Sequence, residues 1–146
     1  IVVCLGGGGL LAGALIVAKS IHPHTRVFGA EPELGNDWAQ SLKQGKRVKI
    51  ESPDTIADGL RTVQPGEITF PIVQGLFAGV LLVSDNELAA TLRFLLTRMK
   101  LVTAPRGCAA AAAVLHKKLP SDAQRIGIIV SGGNIDLPLL AKLCQD

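Results

Sequence analysis

The hydrophobic pattern opens with Ile1 to Leu5, an unbroken apolar run rich in β-branched residues. Such a run reads as a strand buried on both faces, as in a parallel sheet. Gly6 to Gly9 break it, and Leu10 to Lys19 follow, apolar nearly all round until the closing lysine. That stretch predicts a buried helix, ended near His22-Pro23 because proline does not continue a helix. Arg26–Ala30 predicts a second strand, Gly79–Val83 a third and Arg125–Val130 a fourth. Helices are predicted from Asp37 to Leu42, Phe70 to Phe77, Ser84 to Met99, Cys108 to Lys118 and Asp136 to Cys144. Ser84 and Glu87 have the spacing of a capping box, with Leu88, Leu92, Leu95, Leu96 and Met99 on one face of the helix they open. The alanines from Ala109 to Ala113 are small enough to let their helix lie close to a sheet. Gly45 to Gly66 is the least regular part, and functional loops have this texture. The alternation predicts an α/β domain, a largely parallel sheet flanked by helices.

Composition narrows the class. The chain of 146 residues is long enough for one domain with its own core, and 48% apolar against 18% charged residues excludes a disordered chain. A net charge of +3, scattered along the sequence, makes no case for nucleic acid. Lys43, Lys46, Arg47 and Lys49 form the densest basic run and read as a solvated loop. No apolar run has the length of a membrane span, and no signal-peptide pattern is present. Cys4, Cys108 and Cys144 are widely spaced in apolar segments. They read as small core residues rather than a disulfide frame or metal site, which implies a reducing, cytoplasmic compartment. His22 and His24 sit on a turn with no acidic or Cys neighbour and read as solvent-exposed. The first residue is an isoleucine already inside a strand, which implies a piece of something longer, or a processed chain.

The chemistry lies in the turns. Four consecutive glycines between a strand and a helix let the backbone approach a ligand and aim several N–H groups at one point. The helix N-terminus adds free donors and a partial positive charge, so Gly6 to Gly9 suit a phosphate. Gly7-x-Gly9-x-x-Ala12 also satisfies a dinucleotide-binding pattern, with Glu31 ending the next strand about where an acid would bind a ribose hydroxyl. That reading leaves a second glycine turn unexplained: Ser131-Gly132-Gly133-Asn134, again after a strand and before a helix. Between Glu31 and Asp37 the turn is rich in oxygen ligands that could share a hard cation with a backbone carbonyl. From spacing alone the simpler reading is acids before a helix, with Asp37 as its N-cap.

Five motifs occur in order: Gly6-Gly7-Gly8-Gly9-Leu10, Ala30-Glu31-Pro32, Ile56-Ala57-Asp58-Gly59, Arg98-Met99-Lys100-Leu101-Val102 and Ser131-Gly132-Gly133-Asn134. Together they resemble the pyridoxal-phosphate-dependent serine/threonine dehydratases and serine racemases, of the tryptophan-synthase-β-like fold type II. The resemblance covers Ile1 to about Leu139 and corresponds to roughly the second half of such an enzyme. It implies that residues 1–146 are a partial large domain whose N-terminal half is missing. It implies that Gly6, Gly7, Gly8, Gly9 and Leu10 hold the phosphate of pyridoxal 5'-phosphate and that Ser131 bonds the pyridine nitrogen. It implies a divalent cation (magnesium, calcium or manganese) on Glu31, the Gly35 carbonyl and Asp37. It further implies a hydroxy amino acid as the small-molecule substrate, and a homodimer.

Two departures stand out. Relatives generally carry a glutamate where this chain has Ala104, and Arg106 stands beside it. The family's Schiff-base lysine lies upstream in a Ser-x-Lys context that no lysine here shares, and its Ser/Asn-rich loop for the substrate carboxylate is also absent. No catalytic residue is therefore expected in this chain, which alone would be inactive. The alternatives are a stand-alone dinucleotide- or phosphate-binding domain, and a non-catalytic remnant that pairs with another subunit.

Overall fold

The computed structural model describes residues 1–145. Three parallel strands, β1 (Val2–Cys4), β2 (Phe28–Pro32) and β3 (Gly79–Val83), form a sheet in the order β1-β2-β3. Val2 pairs with Phe28, and Phe28 with Gly79, so all three strands end at the same edge. The helices are α1 (Gly9–Ile21), α2 (Asp37–Gln44), α3 (Thr69–Leu76), α4 (Asp85–Phe94), α5 (Ala109–Leu115) and α6 (Leu137–Cys144).

Side chains along β1 alternate between two cores, as a pleated strand requires. Val3 and Leu5 join Leu11 and Leu15 of α1, Trp38 of α2, and Phe70 and Val73 of α3. Val2 and Cys4 face the other way, among Phe28, Leu81, Leu88 and the α5 alanines. Ala109 to Ala113 are all buried, and α5 touches all three strands. Side chains no larger than a methyl group let that helix seat against the sheet, as the sequence predicts.

The predicted fourth strand needs correction. Within Arg125–Val130 only Ile128 bridges to β1, in parallel with Val2. Two backbone bonds make the link, Val2 N–H to Gly127 and Ile129 N–H to Val2, at 2.8 and 3.0 Å. The segment lies where the fourth strand belongs, but no further ladder develops. Ile126, Ile128 and Val130 remain 39–40% exposed, so no burial enforces an extended pairing.

Three burial expectations also change. α1 is not buried all round: Leu11, Ala12 and Leu15 face the core, while Leu10, Ile16, Val17 and Ile21 are exposed because the helix packs along one side only. Leu88, Leu92 and Leu95 are buried as predicted, but Met99 is 55% exposed. The chain turns π-helical over Leu95–Met99, and the extra residue in that turn rotates Met99 away from the core. Cys144 is exposed rather than a core residue, because no residue of α6 is buried. The capping box is present in full: Glu87 N–H donates to Ser84 Oγ at 3.2 Å, and Ser84 N–H to Glu87 Oε2 at 2.8 Å. Among the described residues no helix is long and apolar enough to cross a membrane.

Candidate cofactor site

The first glycine turn follows β1 and opens α1. Gly8 is the N-cap, with φ +91°, a left-handed conformation that glycine adopts freely. Two partners hold the turn from behind. Trp38 Nε1 donates to the Gly6 carbonyl at 2.5 Å, and Thr69 Oγ1 to the Gly7 carbonyl at 2.7 Å. In a planar trans peptide the next N–H points opposite to the carbonyl. Tying the carbonyls back thus turns the following amides forward. Among the described residues, none of the N–H groups of Gly6 to Leu11 finds a protein acceptor outside α1. A Cβ added at Gly7 or Gly9 would meet nothing within 4 Å, so this side of the turn is open.

The tryptophan is itself positioned by an acid. Glu31, in β2 near its end, is fully buried and accepts from the N–H groups of Ala39, at 2.9 Å, and Trp38, at 3.3 Å. It therefore caps the N-terminus of α2 through space. Asp37, predicted as the N-cap, is the first residue of that helix, preceded by Asn36, which makes no side-chain cap bond. Asp37 instead accepts from Thr62 Oγ1 at 3.2 Å. Burial pushes the Glu31 carboxyl up to about 8; the nearby Asp37 adds to this, against the lowering by the Ala39 and Trp38 amides. Burial likewise pushes Asp37 up to about 6, against its bond from Thr62. Glu31 is fully buried against α2 and does not line the cavity at the glycine turn, so the dinucleotide reading loses its second element.

The second glycine turn stands beside the first. Ser131 Oγ lies 3.1 Å from Cys4 Sγ. Its placement comes from backbone contact with the Thr103–Gly107 loop. Ala104 N–H donates to Gly132 at 3.1 Å, and Ser131 N–H to Gly107 at 3.2 Å. Gly107 permits this approach, since a Cβ there would collide with the Ser131 and Gly132 carbonyl oxygens. A cavity of about 280 Å³ results, lined by Cys4, the Gly6–Leu10 turn, Gly59 with Leu60, Arg106, and Ser131 with Gly132.

This lining fits pyridoxal phosphate at two points. The free amides and the α1 N-terminus suit a phosphate, and the Ser131 hydroxyl in the same cavity can pair with a ring nitrogen. No lysine lines it. The fold thus brings Gly6, Gly7, Gly8, Gly9 and Leu10 together with Ser131, as the sequence analysis expects. Glu31, Gly35 and Asp37 are not part of that lining. Among the described residues no cluster of three or more His, Cys, Asp or Glu side chains is gathered for a metal. His22 and His24 are exposed. Sequence reasoning missed Trp38 and Thr69 behind the turn, and Cys4, Leu60 and Gly59 in the lining. The motif Ile56-Ala57-Asp58-Gly59 was a signal for Gly59, whereas nothing local marks a tryptophan or threonine as a backbone anchor.

Comparison with known proteins gives the family. Residues 1–132 match the family model described as "Pyridoxal-phosphate dependent enzyme", and the chain belongs to that family. It is similar to the serine racemase of Schizosaccharomyces pombe, 47% identical over 92% of this chain and 42% of the relative. It is also similar to the L-threo-3-hydroxyaspartate ammonia-lyase of Saccharomyces cerevisiae, 46% identical over 95% of this chain and 43% of the relative. Among solved structures, maize serine racemase superposes with a TM-score of 0.90 at 38% identity, covering 97% of this chain and 44% of that one. The chain therefore spans under half the length of each of these relatives, and its fold is that of fold type II pyridoxal-phosphate enzymes.

Proposed function

We propose that this chain is the C-terminal part of the large domain of a pyridoxal-phosphate-dependent lyase or racemase acting on hydroxy amino acids. The observation that carries this reading is the single cavity joining free backbone amides of the Gly6–Gly9 turn to the Ser131 hydroxyl. When bound, pyridoxal phosphate supplies an electron sink for the bond broken at the substrate Cα. The chain's own residues do the rest of the holding. Gly6 to Leu10 bind the phosphate through N–H groups whose carbonyls are anchored by Trp38 and Thr69. Ser131 orients the ring by a hydrogen bond at its nitrogen. A hydroxyl there is a weaker proton source than a carboxylic acid, so the nitrogen stays largely unprotonated and the sink is moderated, which suits elimination or racemisation. The covalent lysine and the loop for the substrate α-carboxylate come from outside residues 1–146. In this reading the enzyme is cytoplasmic and a homodimer, and the chain without its other half is inactive.

The same reading gives Glu31, the Gly35 carbonyl and Asp37 to a divalent cation. Two buried carboxylates with raised pKa values are a donor set that a hard cation would relieve. Melting of the protein with and without magnesium, calcium or manganese tests this. A rise in the wild type that Asp37→Asn abolishes supports the site, and no rise with any of the three removes it.

Uptake of pyridoxal phosphate by the full-length protein, followed by borohydride fixation and peptide mapping, tests the main proposal. The expected result is one labelled lysine outside residues 1–146, with turnover that falls in Ser131→Ala. Label on a lysine within this chain, or turnover unchanged in Ser131→Ala, would overturn the corresponding role.

A further inference from the structure

Arg106 is the cationic side chain of the cavity, and among the described residues nothing neutralises it. Its root is fixed. Pro105 before it and Gly107 after it are buried, and Gly107 N–H donates back to Ala104 at 2.8 Å. Its stem crosses two glycines. A Cβ at Gly59 would strike the Arg106 Cδ and guanidinium, and one at Gly132 would sit 3.3 Å from its Nε. The side chain thus occupies a slot that exists because both neighbours lack side chains. Among the described residues the guanidinium makes no hydrogen bond and no ion pair within 4.0 Å. Asp58 and Asp136 line an adjoining cavity of about 360 Å³, which Arg106 also lines, but neither reaches it. Ala104, two residues before it, is 1% exposed and offers no carboxylate.

A half-buried guanidinium with its donors unspent is complementary to an anion, and its planar fork matches a carboxylate. The amides of the first glycine turn already serve the phosphate in the same cavity. We infer that Arg106 reads a side-chain carboxylate, so that the amino acid taken by this site is dicarboxylic. The inference rests on the cofactor reading above, which assigns the α-carboxylate to a loop outside this chain and leaves Arg106 for a second one. A substrate with a neutral side chain would leave the guanidinium unpaired and partly desolvated, which disfavours its binding.

Calorimetric titration of the full-length protein with L-aspartate and L-2-aminobutyrate, which differ in the side-chain carboxylate, is the test. Pyridoxal phosphate is titrated separately first. The wild type should bind aspartate roughly ten- to a hundredfold more tightly, the range expected of a charged hydrogen-bonded pair. Arg106→Ala should remove that preference while leaving 2-aminobutyrate and pyridoxal phosphate unchanged, and Arg106→Lys should restore part of it. Arg106→Gln, with similar bulk, serves if the alanine variant fails to fold by circular dichroism. No preference in the wild type overturns the inference without any variant. Equal weakening of both amino acids assigns Arg106 to the α-carboxylate instead, and weakening of pyridoxal phosphate alone assigns it to the phosphate; either result also overturns it. Absence of pyridoxal phosphate uptake by the wild type sinks the cofactor reading separately, whatever the ratio of the amino acids.

Discussion

Gly6 to Gly9 rest on buried side chains, whereas Ser131 to Asn134 are held by backbone contacts at the surface. Behind the first turn stand Trp38, with no exposed area, and Phe70, whose ring centre lies 5.8 Å from that of Trp38. Behind the second turn stand the Thr103–Gly107 loop, the Cys4 sulfur and a segment joined to β1 through one bridge. The difference matches the two tasks proposed for the turns. A phosphate needs several donors converging before it arrives, and preorganisation of that kind comes from rigid neighbours. A single hydroxyl aimed at a ring atom needs only to be near. Stability and ligand binding should therefore be coupled at the first turn and separable at the second.

Trp38→Ala should strain that contrast most. Removal of a fully buried indole costs about 3–5 kcal/mol, and the Gly6 carbonyl loses its anchor. Chemical denaturation should show the loss, and phosphate affinity should fall with it. An affinity untouched at low temperature, where the variant is folded, would show that the turn holds its shape unaided.

A pH effect comes next. Glu31 titrates at about 8 in the folded protein against 4.5 without the fold, and Asp37 at about 6 against 3.8. Between those values the folded state binds more protons than the unfolded one. The contribution of these two groups to stability is therefore fully present below the lower values and is lost as pH rises, levelling off above about 8. Melting temperature of the metal-free protein, followed across the window from about 4.5 to about 8 in the presence of a chelator, should decline, and Glu31→Gln should flatten the decline. A melting temperature that climbs over the same range would contradict the buried environment assigned to Glu31.

Thr69→Val is a smaller cut. It deletes the bond to the Gly7 carbonyl, at 2.7 Å, and should cost about 1 kcal/mol, with a measurable drop in phosphate binding by calorimetry. Ser131→Ala should be the mildest for the fold, within about 0.5 kcal/mol, since the hydroxyl's described partner is the Cys4 sulfur. Its effect should appear in ring orientation, read from the absorbance of bound pyridoxal phosphate. Equal stability losses in these two variants would erase the distinction between the turns.

Much of this arrangement was legible from local pattern. β1, the glycine turn and α1 follow one another as read, and so do β3 and the Ser84 capping box, while β2 runs two residues later than read, over Phe28–Pro32 rather than Arg26–Ala30. The failures share a cause. Arg125–Val130 has the composition of a strand, yet a ladder depends on what covers it, and its apolar side chains are left partly open. Met99 continues a regular helical spacing, yet the π turn over Leu95–Met99 shifts its direction. Asp37 is the right residue type one position too late to be the cap, and the bonds that do the capping come from Glu31 across a turn.

Sequence alone determined most of the strand, turn and helix segments, Arg125–Val130 excepted, because those preferences depend on side chains a few positions apart. It also determined that one glycine turn would follow β1 and that a second would follow the apolar segment Arg125–Val130. Tertiary structure alone decided that those two turns would share one cavity, that Trp38 and Thr69 would turn the first set of amides toward it, and that Arg106 would lie between Gly59 and Gly132. Such contacts join residues tens of positions apart. Packing of both sheet faces brings them together, and no local preference encodes the partner.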